Sequence, residues 1–62
     1  MQTYAVMVRS GEMVTAAGFH SFEEPLIDGA KVTWNDEPWI IDQVDEVWSN
    51  PPIVTLRRAQ PR

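Results

Sequence analysis

Residues 32–48 read VTWNDEPWIIDQVDEVW, three tryptophans and five acids within one short segment, and two periodicities compete for it. As a β-hairpin, residues 35–38 form a four-residue loop that places Trp34 directly opposite Trp39 on one face, their Cβ atoms about 5 Å apart. Pro38, lacking an N–H, favours an open turn there. The inward parity runs on to Ile41, and a bulge near Asp42 and Gln43 brings Val44 to the same side, so that the acids point outward. As a helix over about residues 37–49, Ile40, Ile41, Val44, Val47 and Trp48 form an apolar stripe opposite Asp42, Asp45 and Glu46. Asp36 then caps the helix, Pro38 is tolerated in its first turn and Pro51 ends it. The density of β-branched residues and the short strands on either side select the strand. The alternative is an α+β fold, with that helix packed on a small antiparallel sheet.

Outward from this segment, turn signals at short intervals separate runs rich in valine, isoleucine and aromatics, which is the all-β pattern. Residues 4–9 and 12–18 flank Ser10-Gly11, a pair suited to a two-residue hairpin. Arg9 then faces Glu12, with Val8 opposite Met13, Val6 opposite Thr15 and Tyr4 opposite Ala17. Met7 with Val14 and Ala5 with Ala16 fill the other face, so both faces of the hairpin are apolar. Residues 19–25, FHSFEEP, read as a loop or single helical turn, because Pro25 and two glutamates disfavour a strand. Residues 26–29, LIDG, mark a second turn, after which Ala30, Val32 and Trp34 alternate inward. Residues 49–52 turn into extended backbone, and residues 53–57 form a last strand with Val54 and Leu56 inward.

Five short strands in this order resemble a small SH3-like barrel in architecture, with residues 1–62 as one domain and residues 57–62 as a short basic tail. The tyrosine motif in the first strand of that fold's polyproline-binding members is missing from TYAVMV (residues 3–8), so no site is carried over.

A chain of 62 residues makes at most one small domain, and such chains bury only about 60% of their unfolded surface. There is no cysteine, and His20 is the sole imidazole, so neither a disulfide nor a histidine-rich metal site reinforces the fold. The core works alone or with a partner. Absence of cysteine fits a reducing compartment, apolar runs of a few residues fall far short of the roughly 20 needed for a membrane helix, and no secretory segment is visible at the N-terminus. The expectation is a cytoplasmic, soluble protein with no membrane partner.

Charge is uneven. Eight of the nine acids lie between Glu23 and Glu46 with Lys31 the only base among them, a local charge of −7 that repels phosphate and attracts a basic partner. The bland reading is a solvated face that keeps the protein soluble. Arg57, Arg58 and Arg62 give the last six residues a charge of +3, the only candidates for weak nucleic-acid binding, which the net charge of −4 makes unfavourable.

Catalysis finds little support. His20 and Ser21 are neighbours whose side chains diverge on a strand, the adjacent acid pairs match turns better than an acid and base couple, and no calcium loop or phosphate-cradling glycine motif is present. The expectation is no enzyme and no cofactor or metal. Protein binding has a positive argument, since one thin sheet layer cannot bury both faces of the first hairpin and three tryptophans as well. Trp39 and Trp48 are expected as exposed anchors with Tyr4 and Met7 behind them, because aromatic residues are enriched at binding hot spots. Asp42, Asp45 and Glu46 form the acidic part of that surface, and Trp34 belongs to the core. The partner is another protein, basic where it meets the acidic window, or a second copy of the chain. Two classes follow: a small regulator or inhibitor that acts through its acids and aromatics, and a structural subunit of a larger assembly, such as a virus particle, that packs through apolar faces.

Overall fold

A computed structural model describes residues 2–23, 26–47 and 50–59. Within them the protein is all-β, with strands β1 (Gln2–Ser10), β2 (Met13–Phe22), β3 (Lys31–Trp34), β4 (Glu37–Asp45) and β5 (Ile53–Arg58). The helical alternative over residues 37–49 is not adopted: β4 runs extended through Asp45. Among the described residues no helix is long and apolar enough to cross a membrane.

The first hairpin turns at Gly11-Glu12, one residue later than Ser10-Gly11, so that Ser10 pairs with Met13 and Val8 with Thr15. Gly11 at φ +64° takes the first central position of the two-residue loop, which a type II′ turn reserves for glycine. The partners shift by two residues, an even number, so every side chain near the turn keeps its expected face. Further along, β2 carries one residue more than β1 between the Ala5 and Met7 pairings, and Gly18 at φ +96° absorbs this bulge. Beyond it the strand continues where a loop was expected, pairing Phe19 with Ala5 and Phe22 with Gln2. The ladder to β1 and the burial of Phe22 outweigh the breaker signals at residues 23–25, of which 24 and 25 lie outside the described residues.

The second hairpin closes more tightly than expected, with a two-residue loop at Asn35-Asp36 where four residues were anticipated. Asn35 and Asp36 have φ of 56° and 63°, the left-handed pair of a type I′ turn, and Trp34 pairs with Glu37 while Trp39 pairs with Val32. The two tryptophans are therefore diagonal neighbours, not opposite ones. Pro38 is accommodated because the β4–β5 ladder begins at Trp39, so its missing N–H interrupts no central bond. A bulge between Ile41 and Gln43 then sets Val44 opposite Val54, as the spacing predicts.

The sheet order is β2-β1-β5-β4-β3, with β5 parallel to β1 and antiparallel to β4. The expected closed SH3-like barrel is not formed: β2 and β3 end the sheet as separate edges. Between β2 and β3, Leu26 and Ala30 pack on the core. The link turns at Ile27–Ala30, with Gly29 at φ +87° and the Ala30 N–H donating to the Ile27 carbonyl at 3.1 Å.

The core occupies that inner face and consists of Tyr4, Val6, Phe22, Trp39, Ile41, Val54 and Leu56. Val54 and Leu56 are fully buried. Trp34 and Val32 pack against its edge. Trp39, expected as an exposed anchor, is 4% exposed, and Tyr4, expected behind it, is 1% exposed. The reason is volume: burial of one such ring contributes roughly 2–3 kcal/mol, and so small a domain fills its interior with its largest side chains.

Candidate protein-docking face

The outer face of the sheet is assembled by register. Phe19, Ala5, Ile53 and Asp45 form one row across β2, β1, β5 and β4, and Ala16, Met7, Thr55 and Gln43 form the next. Val14 sits beside Arg9, and Ile40 beside Arg57. On β2, β1 and β5 this face is apolar through Phe19, Ala5, Met7 and Val14 with Arg9 and Arg57 at its far end, while on β4 Asp42, Gln43 and Asp45 accompany Ile40. Met7, Asp42 and Asp45 are thus brought to one side, as the sequence pattern implies. Tyr4 and Trp39 lie on the opposite side within the core, and Trp48 lies outside the described residues.

The exposed apolar area concentrates on β2. Every residue from Met13 to Ser21 is exposed on this edge strand, with Met13 at 71%, Val14 at 52% and Phe19 at 70%. Val14 and Phe19 extend the outer face, while Met13 and His20 carry the inner parity, opposite Ser10 and Tyr4. Sequence reasoning missed Phe19 by assigning it to a loop. The available signal was the ten-residue run MVTAAGFHSF, which contains no aspartate, glutamate, lysine, arginine or proline.

The acids are mostly engaged with the protein's own groups. Asp42, its side chain only 22% exposed, accepts from Arg9 at 2.9 Å and Arg57 at 3.3 Å, which closes the third row of the outer face. Asp45 Oδ1 accepts from the Val47 N–H at 3.3 Å. Glu46 Oε2 accepts a hydrogen bond from the Tyr4 hydroxyl at 2.8 Å. Arg58 pairs with Glu37 at 3.2 Å and lies 5.2 Å from the centroid of the Trp39 ring. Of the arginines considered for nucleic acid, Arg57 and Arg58 are therefore committed to carboxylates, and Arg62 is outside the described residues. Burial first, then the hydrogen bond and negative charge of Glu46, raise the Tyr4 pKa above its ordinary value, against a smaller opposing effect from a backbone hydrogen bond at Leu26.

The other polar groups are arranged structurally. His20 rests edge-on against Phe22 at 4.8 Å, while the adjacent Ser21 points away and shares a hydrogen bond with Thr3 at 2.8 Å. A groove of about 650 Å³ opens between the end of β2 and β3, lined by Phe22, Leu26, Ile27, Val32 and Ile41 and flanked by Glu23 and Lys31. Among the described residues no three metal-ligating side chains converge. No protein-family model, curated protein or solved structure matches the chain.

Proposed function

We propose that this chain is a non-enzymatic protein-interaction module that docks through β2 and the apolar half of the outer face beside it. The observation that carries this reading is that Met13, Val14 and Phe19 stand exposed beside a core already filled by seven other side chains. Large apolar side chains exposed together along one uncovered edge strand of a small protein support an interface there. Of the two classes, the apolar one is favoured. Asp42 is tied to Arg9 and Arg57 and Glu46 to Tyr4, so a basic partner must compete for groups already paired. Packing as a subunit requires no such exchange.

Capture from a lysate of the native host by the wild type, Phe19→Ser and the triple variant Asp42→Asn, Asp45→Asn, Glu46→Gln, each at low and high salt, tests this. The expected result is a partner retained in 1 M salt and by the acid-neutralised protein but lost with Phe19→Ser, since apolar docking persists as ionic strength rises. Loss in salt and on neutralisation, with Phe19→Ser unaffected, would transfer the function to the acids and reject the apolar reading.

A further inference from the structure

The edge of β2 also carries information about its occupant. Most exposed edges are blunted by charge, proline or a bulge; β2 has no lysine, arginine, aspartate, glutamate or proline, and only the bulge at Gly18 remains. That bulge sets the phase of the strand. Val14 and Phe19 are five residues apart and would fall on opposite faces of a regular strand, yet both stand on the outer face, opposite Arg9 and Ala5. Met13 and His20, seven apart, likewise share the inner parity, opposite Ser10 and Tyr4.

A strand that pairs antiparallel with its own copy about a two-fold axis must bring residues of the same face into opposition. With the axis through Ala16 and the bulged Ala17 and Gly18 of each copy opposite Thr15 of the other, Val14 meets Phe19 and Met13 meets His20 of the second copy, each pair on a matching face. Moving the register by a single residue sets Met13 opposite Phe19, inner against outer, and breaks the match. Three of the exposed large hydrophobic residues, Met13, Val14 and Phe19, gain a cross-strand neighbour in this one arrangement. Charge is consistent with this: the protein carries a net charge of −4, but β2 has no aspartate, glutamate, lysine or arginine, so pairing there brings no like charges into opposition.

On these grounds we propose that the occupant of the β2 edge is a second copy of this chain, paired antiparallel through residues 13–20 to make one continuous ten-stranded sheet. The inference rests on the docking surface proposed above and names its partner.

The absence of cysteine makes the register directly measurable. Val14→Cys and Phe19→Cys change exposed side chains, and opposed residues of an antiparallel pair lie within disulfide reach at Cα separations of about 4.5–5.5 Å. Val14 and its own copy would lie well beyond that reach along the strand. Under mild oxidation, an equal mixture of the two variants should give the mixed covalent dimer at least about fivefold above either same-residue dimer, against the statistical factor of two. Sedimentation of the cysteine-free wild type should show a dimer forming between about 1 µM and about 1 mM, with Val14→Lys remaining monomeric. A wild type that stays monomeric to about 1 mM, or mixed and same-residue dimers in statistical proportion, overturns the self-pairing. If Phe19-dependent capture of another protein survives that result, the docking face stands and only its occupant changes.

Discussion

Replacing Trp39 with alanine distinguishes a core residue from a surface anchor. The ring is 4% exposed, packs edge-on against Trp34 with centroids 5.5 Å apart, lies under the Arg58 guanidinium, and donates its indole N–H to the Trp34 carbonyl at 2.9 Å. Truncating a buried tryptophan costs about 3–5 kcal/mol, and the carbonyl loses a partner besides. A domain of 62 residues has a total stability of about 3–9 kcal/mol, so Trp39→Ala should lose at least about a third of it and, towards the lower end of that range, be unfolded at 25 °C. Trp39→Phe keeps the apolar volume but not the donor, and should lose about 1–2 kcal/mol. Phe19→Ala, at a site 70% exposed, should lose less than about 1 kcal/mol. Urea denaturation followed by circular dichroism reads all three, with a slope near 1 kcal/mol per molar expected for so small a protein. A Trp39→Ala midpoint equal to that of the wild type, with Phe19→Ala collapsing, would reverse the assignment of inside and outside.

Tyr4 is the only tyrosine, so absorbance at 295 nm follows it alone; its midpoint should lie above 10 in the folded protein and fall towards 10 in urea. Because the folded-state value is the raised one, the stability it confers is complete below pH 10 and is lost as pH climbs from there through the folded value, and Tyr4→Phe should flatten that alkaline decline. Asp42→Asn leaves Arg9 and Arg57 without their shared carboxylate and should cost about 1 kcal/mol at low salt and less in 1 M salt, as thermal melts would show; equal losses in both conditions would contradict an ionic origin. Asp36→Gly relieves a left-handed residue at φ 63° and should raise stability by about 0.5 kcal/mol, whereas a loss would count against the type I′ turn.

What could be read from the sequence depended on whether one residue type decides the local geometry. Alternation fixed the inward faces of β3 and β5, and the need to keep Val44 inside revealed the bulge at Asp42, because these follow from period-two burial alone. Turn positions were read less well. Ser10-Gly11 and Gly11-Glu12 differ by where a single positive φ falls, and Asn35-Asp36 contains no glycine to announce a type I′ turn. The bulge at Gly18 is set by long-range pairing to β1, and without it Phe19 reads as loop. The insertion of β5 between β1 and β4, which leaves the sheet open, is likewise a tertiary choice with no local mark. For the site, the excess of apolar side chains was legible, but their allocation was not. Trp39 and Tyr4 were taken inside for their bulk, and Phe19 and Val14 were left outside by register.

The parallel seam between β1 and β5 joins the segment synthesised first to the one synthesised last among the strands. Ala5 pairs with Ile53 and Val8 with Leu56, so a nascent chain released only as far as residue 50 holds two hairpins with no strip to join them. Loop closure over such a span is slow, and until it occurs Tyr4, Val6, Trp39 and Ile41 remain open to water and to neighbours. Collapse must therefore wait for β5 to emerge, and removing even that one short strand would leave two separated fragments in place of a smaller domain.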